Sequence, residues 1–392
     1  MITKNTISAA VITVIGLSPL SASAVNLKDV MDNKIDFSIG GYVKLSAMWT
    51  DYSEGDSSGN ALLDTFYFPG AIPTAGSGMS GAAGENSSDL DFTARETRLN
   101  FKISKKIDGH SVMGYLETDF MPNGDAGGNE VLTNSYSPRL RHAFLKFDNW
   151  TFGQTWSTYM DVGALPESVD FLAVSESTVF VRQPQIRYTN GPFQVALENP
   201  ESFNESGDRD DSDMPDLIAN YTMKGDWGHV RLNGLAREIV TVNNPTVGDE
   251  DSAMGWGLGL TGKVMVGKDD LKFSVNHGKG LGRYIGLALP LDATVDATGD
   301  VDLSETTAFF VAYRHWWSSK LRSSIMYSDI DVDYSGPDNS FTSSADSVTL
   351  NLMYSPVKDI TLGMMYLHAN RELDNGDDGA MERLQFSAKY AF

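Results

Sequence analysis

The sequence predicts an all-β fold, a transmembrane antiparallel β-barrel of about 16 strands. Three observations carry that expectation. Hydrophobicity alternates residue by residue in segment after segment, the connections alternate between tight turns and long polar loops, and no apolar run after residue 24 is long enough for a spanning helix. An alternating strand in a soluble sandwich hides its apolar face in a core. Here the opposite face carries Arg, Lys, Asn, Ser and Thr, and a barrel this wide leaves a lumen that side chains cannot fill. The apolar face therefore meets lipid and the polar face lines water.

Taken in order, the chain begins with Lys4, an apolar run around Ala9 to Leu17 and the small residues Ala22-Ser23-Ala24. This is the pattern of a signal peptide over residues 1–24, followed by a short periplasmic segment over 25–35 and the barrel over 36–392. The first strand, Asp36 to Thr50, sets Phe37, Ile39, Val43 and Leu45 against Ser38, Tyr42, Lys44 and Ser46. The second, Leu90 to Lys105, sets Leu99, Phe101 and Ile103 against Arg98, Asn100 and Lys102, and "KIDGH" turns it into His110 to Pro122. Arg139 to Asp148 and Trp150 to Ser157 turn at "DN"; Val179 to Asn190 and Pro192 to Asn199 turn at "NGP". By parity Arg139 and Arg141 fall with Ala143 and Leu145 on the lipid side, a conflict that a β-bulge would resolve.

Asp216 to Lys224 and Gly228 to Val242 turn at "KGDW", and Met254 to Gly267 and Leu271 to Gly280 at "GKDD". Leu271, Phe273 and Val275 there oppose Lys272, Ser274 and Asn276. Thr306 to Ser318 and Leu321 to Asp333 turn at "SSK"; Phe309, Val311 and Tyr313 oppose Phe310, Ala312 and Arg314, the weakest alternation of the set. Ser347 to Ser355 and Ile360 to Arg371 turn at "PVKD", with Val348, Leu350, Leu352 and Tyr354 against Thr349, Asn351 and Met353. The last strand, Met381 to Phe392, sets Leu384, Phe386, Ala388, Tyr390 and Phe392 against Arg383, Gln385, Ser387 and Lys389. The turns are built from Gly, Asp, Asn, Lys and Pro. The long loops are Asp51 to Asp89, Asn123 to Pro138, Tyr159 to Thr178, Glu201 to Met214, Asn243 to Ser252, Leu281 to Glu305 and Tyr334 to Ala345. Short turns at one end and long loops at the other describe an outer-membrane barrel.

Composition agrees. The 15 Tyr, 19 Phe and 7 Trp suit aromatic belts at two interfaces, and 37 Gly suit twisted strands. With 0 Cys there is neither a disulfide framework nor a thiolate site. The net charge of −22 argues against nucleic acid as a partner. His110, His142, His229, His277, His315 and His368 are scattered without metal-ligand spacing, so neither a metal nor another cofactor is expected. "GWGLGL" lacks the last glycine and the helix of a dinucleotide loop, and no serine sits in G-x-S-x-G. The acidic run "GDRDDSDMPD" lacks the EF-hand glycine and terminal glutamate. At the outer face it is a low-ranking site for divalent ions that bridge lipopolysaccharide.

From Thr151 to Ser202 the chain reads "TFGQTWSTYMDVGALPESVDFLAVSESTVFVRQPQIRYTNGPFQVALENPES". The pieces Gly153-Gln154-Thr155-Trp156-Ser157, Leu165-Pro166-Glu167 with Asp170-Phe171, Arg182 through Tyr188 and Ala196 through Pro200 resemble the DcaP-like porins. "GYVKL", "RETRLNF" and "LRHAF" fit the same pattern, as does the terminal Phe392, the residue type read by barrel assembly machinery. The resemblance implies a homotrimer of sixteen-stranded channels in the bacterial outer membrane, in contact with lipid and lipopolysaccharide. It also implies uptake of small anionic solutes, dicarboxylates in particular. Some members carry a helical periplasmic extension, for which Val25 to Lys34 is too short.

The resemblance further implies that the loop at about 159–178 folds into the lumen, bringing Asp161, Glu167, Asp170 and Glu176. Parity sets Arg98, Lys102, Arg187, Arg231, Arg237, Lys272, Arg314, Arg322, Arg383 and Lys389 on the inner wall, while Arg182 and Arg187 differ in parity. An acidic loop facing a basic wall sets a transverse field, and guanidinium forks suit carboxylates. A share of those arginines is expected to pair with Glu96, Glu117, Asp119 or Glu198 instead and hold the wall together. Two further readings stand beside the anion channel: a nonspecific or cation-leaning porin, in which loop carboxylates dominate the mouth, and a barrel-embedded hydrolase.

Overall fold

The computed structural model describes residues 32, 34–55, 63–75, 85–121, 133–203, 212–240, 252–295, 301–335 and 340–392. The expected signal peptide and most of the segment before the barrel lie outside the described residues, as does much of the acidic run near 207–216. Strand β1 is Asp36–Tyr52, β2 Ser87–Thr93, β3 Arg98–Ile107, β4 His110–Asp119, β5 Arg139–Phe147, β6 Trp150–Trp156, β7 Arg182–Asn190, β8 Phe193–Glu198, β9 Asp216–Gly225 and β10 Gly228–Val240. Strand β11 is Ser252–Val266, β12 Asp269–Lys279, β13 Ala293–Val295, β14 Val301–Leu303, β15 Glu305–Trp316, β16 Leu321–Asp333, β17 Thr342–Tyr354, β18 Ile360–Leu373 and β19 Asp378–Ala391. The pair β13–β14 is a small hairpin apart from the main sheet.

Successive strands pair antiparallel, and β1 pairs with β19 through Tyr42↔Ala391 to Tyr52↔Met381, closing the sheet. Both β2 and β3 pair with β1, so they are two halves of one wall strand and the barrel has sixteen. The continuous strand expected from Leu90 to Lys105 is thus broken at Ala94 to Thr97. Its bulge turns Arg95 and Glu96 into buried positions, where Lys44 donates to Glu96.

The alternation holds along the wall. Val348, Leu350, Leu352 and Tyr354 are exposed while Thr349, Asn351 and Met353 are buried inside. Outward aromatics gather toward both ends, with Trp150, Trp227, Trp317, Tyr354 and Tyr390 near the short turns and Trp49 and Trp256 nearer the long loops. Gly153 has φ +120, and a Cβ there would stand 2.4 Å from the Ala143 carbonyl oxygen. A side chain therefore has no room where β6 crosses β5.

The lumen is not all water. Leu63, Tyr67, Ala71 and Ile72 of the first long loop pack with Val169, Ala173 and Val174 of the β6–β7 connection. Together they lie against the inner faces of Phe310, Ala312, Met326, Met353, Met365 and Leu367. The weak alternation of β15 has its reason here: Phe310 and Ala312 are the floor on which the loops sit. A second apolar cluster joins Tyr159, Met160 and Val179 to Leu281, Tyr284, Ile285, Leu289 and Leu291 of the β12–β15 connection. Val179 forms only an isolated bridge with Ile285, so the strand expected from Val179 begins at Arg182.

Candidate functional site

The β6–β7 connection crosses the lumen and runs along the far wall. Arg231 of β10 donates to the Met160 carbonyl at 3.0 Å, Lys272 of β12 donates to the Leu165 carbonyl, and Lys44 of β1 donates to the Val169 carbonyl at 2.6 Å. Asn351 of β17 accepts from the Val169 amide at 2.9 Å, and Thr349 donates to the Ala173 carbonyl. The loop is pinned through its backbone, so its course does not rest on its acidic side chains alone.

Those acids are occupied. Asp161 caps a short 3-10 turn through the Gly163 amide at 3.0 Å and accepts from His229 at 2.8 Å and Thr261 at 2.9 Å. Burial works against its charge, but Arg231, His229 and Thr261 together hold the carboxyl below its ordinary value. Asp170 accepts from the backbone amides of Tyr67, Leu172 and Ala173, tying two inward loops together without an arginine. Glu176 is fully buried; Ser347 donates to one oxygen and the other has no hydrogen-bond partner. Burial raises its carboxyl from 4.5 to about 7. Glu167 alone of the four is hydrogen-bonded by arginines: Arg322 grips both its oxygens, with Nε at 2.7 Å, and Arg314 Nη1 donates at 2.8 Å. Burial opposes its charge, yet these two guanidiniums pull the carboxyl down to about 2. An acidic face looking across a gap at a basic face is therefore replaced by direct contacts.

The basic residues divide by partner. Arg237 is fully enclosed, bonded to Asp292 at 2.7 Å and to the Gly280 and Glu201 carbonyls. Arg383 is likewise enclosed, bonded to Thr50 at 2.9 Å and the Leu63 carbonyl at 2.7 Å. Both hold loops. Arg187 bonds Gln185 at 2.8 Å and the Trp156 carbonyl. Arg98 lies 3.5 Å from Glu117 and stacks over Tyr42 at 5.2 Å, and Lys389 lies over the same ring at 5.6 Å. Lys102, on the same face as Tyr115 and Glu117, is exposed toward the short-turn end.

Parity alone missed three arginines. The β4–β5 register slips at Glu117/Thr118, so that Leu140 faces out opposite Thr118 while Arg139, Arg141 and His142 all face in. The bulge foreseen as the remedy is present. Arg139 grips Asp119 with two bonds of 2.9 and 2.8 Å; Arg141 bonds Glu117 at 2.7 Å and Asp119 at 2.8 Å. Arg182 stacks on Trp156 at 4.5 Å and Phe180 at 5.6 Å, and its buried Nη1 has no hydrogen-bond partner. Phe171, on the loop, touches Phe180 and lies 5.8 Å from the Arg141 guanidinium. Three arginines, Arg98, Arg139 and Arg141, thus converge on two carboxylates where the loop meets the wall, and Arg182 stacks beside them on Trp156 and Phe180. Of the four acids expected to pair with arginine, Glu117 and Asp119 do so; Glu96 takes Lys44, and Glu198 takes Gln183 and the Thr158 amide.

Each histidine is held by its own neighbours, for example His110 by Asp148 at 2.7 Å and His315 by Asp269 at 2.8 Å. Among the described residues no group of three or more His, Asp or Glu is arranged to hold a metal ion.

A family model described as DcaP outer membrane protein matches residues 67–392. No curated protein matches the chain. Among solved structures, the outer membrane channel DcaP of Acinetobacter baumannii is 24% identical, covers 92% of this chain and 98% of its own, and superposes with a TM-score of 0.76. An anion-selective porin from Comamonas acidovorans is 11% identical over 91% of this chain and 100% of its own, at a TM-score of 0.57. A trimer form of OmpT from Vibrio cholerae is 12% identical over 91% of this chain and 99% of its own, at a TM-score of 0.54. At these identities the likeness to solved structures is one of fold.

Proposed function

The chain belongs to the DcaP outer membrane protein family, and from that premise we propose that this outer-membrane channel passes small hydrophilic anions by passive diffusion, dicarboxylates and aromatic acids among them. The observation that carries the reading is the convergence of Arg98, Arg139 and Arg141 on Glu117 and Asp119 beside Phe171, with Arg182 stacked next to them on Trp156 and Phe180. Two carboxylates cannot neutralise four guanidiniums, so the patch keeps positive charge in a site screened from bulk water. Guanidinium forks match carboxylate geometry, and the rings of Phe171, Phe180 and Trp156 offer flat apolar faces to an aromatic acid. In this reading Lys102, Arg187 and Lys389 add to the positive lining, whereas Arg237 and Arg383 act on loop structure. We carry the homotrimer and the contact with lipopolysaccharide as parts of the same proposal; one of the similar structures is described as a trimer form.

The test is the reversal potential of the purified protein in a planar bilayer under a potassium chloride gradient. Anion selectivity is expected, and R98A/R182A is expected to reduce it. Cation selectivity in the unmodified channel would sink the proposal and favour the cation-leaning porin. Hydrolysis of lipid or peptide by a non-conducting protein would favour the enzyme.

A further inference from the structure

Glu167 reaches the short-turn end of the lumen and lies at the edge of a cavity of about 510 Å³ beneath the loop. Four cationic side chains line that cavity, Arg314, Arg322, Lys320 and Lys358, and Glu167 is the one carboxylate among its lining residues. Trp316 forms a shelf, with the Arg314 and Arg322 guanidinium carbons 5.4 and 5.2 Å from its ring. The contact that Glu167 makes is the one a solute carboxylate would make. Arg322 takes it in a two-pronged grip and Arg314 adds a third bond.

Two features separate this arrangement from an ordinary structural ion pair. First, both arginines are held in place without Glu167: Arg314 by two bonds to Asp270 of 2.9 and 2.5 Å, and Arg322 by Ser355 at 3.1 Å. The fork therefore keeps its shape when Glu167 leaves. Second, the loop does not depend on Glu167, because two residues to either side Leu165 and Val169 are bonded to Lys272, Lys44 and Asn351. The Glu167 side chain keeps 28% of its surface in water, so it can rotate out without unseating the loop.

We propose that Arg314, Arg322 and Trp316 form a second carboxylate site on the short-turn side of the loop, and that Glu167 is a built-in competitor which an incoming carboxylate solute displaces. The inference rests on the anion reading above, extending it to a separate place on the exit side. Exchange of one carboxylate for another keeps the guanidiniums paired throughout, so a solute can arrive and leave without a bare buried charge at any stage. The low pKa of Glu167 means that it competes as an anion over the whole physiological range.

The experiment is current block of the full-length protein in a planar bilayer by succinate and by phthalate, each added to one side at a time. In E167Q the competitor is removed and the loop anchors remain. The half-blocking concentration from the short-turn side is expected to fall roughly tenfold, the size of effect given by one released charge-assisted contact. Adding R322Q to E167Q is expected to cancel that gain. Unchanged block in E167Q, in a channel that stays anion-selective, would overturn this site and leave the anion reading standing; loss of anion selectivity in the unmodified channel would overturn both. If E167Q does not assemble, W316A in the otherwise unmodified channel takes its place. Weaker phthalate block from the short-turn side with unaltered selectivity is then expected, and equal block from both sides at the unmodified strength refutes the site.

Discussion

At the scale of the residue, the fate of each lumen charge is set by its immediate partners. Arg141 and Arg383 both belong to the inner face and are equally buried, yet one pairs with Glu117 and Asp119 beside Phe171 and the other with Thr50 and the Leu63 carbonyl. A one-residue slip decides the first case: without the bulge opposite Glu117, Arg141 points at lipid. Residue types alone announce that a bulge is needed, since two arginines in lipid are costly, but not which residue is extra. Glu176 offers a test at this scale. Burial lifts its carboxyl from 4.5 to about 7, so the folded chain keeps a proton that the unfolded chain has lost between those values. Its contribution is fully present below about pH 4.5 and declines as pH rises to about 7, by on the order of 3 kcal/mol. The thermal midpoint of the detergent-solubilised protein is expected to fall across that window, and E176Q is expected to flatten the slope.

At the scale of the element, the wall strands were readable from alternation, the inward course of the β6–β7 loop came from family resemblance alone, and the inward packing of the first long loop was not legible. Alternation in β17 follows from a single rule, lipid outside and polar lumen inside, which acts on each residue independently. The buried loop segment from Leu63 to Ile72 follows no period, because its neighbours come from β18, β19 and the β6–β7 connection, far away in sequence. Lys44 joins the two kinds of element by bonding Glu96 in the wall and Val169 in the loop. K44M strands the Glu96 carboxylate in a buried site, and a loss of about 3–5 kcal/mol is expected in denaturant unfolding. K44M/E96M is expected to recover most of it while the loop anchor stays broken, seen as increased current noise. On the wall itself, G153V places a side chain against the Ala143 carbonyl. It is expected to lower the yield of heat-modifiable barrel on gels, where a change at exposed Lys102 leaves the yield unaltered.

At the scale of the whole molecule, a chain of net charge −22 encloses a patch of converging arginines. The bulk charge and the local one act over different distances, and salt separates them. The screening length shrinks from about 10 Å at 0.1 M to about 3 Å at 1 M. Selectivity arising from distant charges is expected to fade over that range, while block by succinate, which depends on direct contact with guanidinium groups, is expected to persist. The sequence by itself determined the barrel, its strand number, its two ends and which face of most strands meets lipid, β5 with its bulge excepted. These depend on the local contrast between hydrocarbon and water, which every residue reports separately. Only the tertiary structure decided which arginines pair with carboxylates and which with loop carbonyls, because that depends on where Glu117, Asp119, Glu167 and the loops come to lie. Those partners are brought together by closure of the barrel and by loops crossing its lumen, and no spacing along the chain records such a meeting.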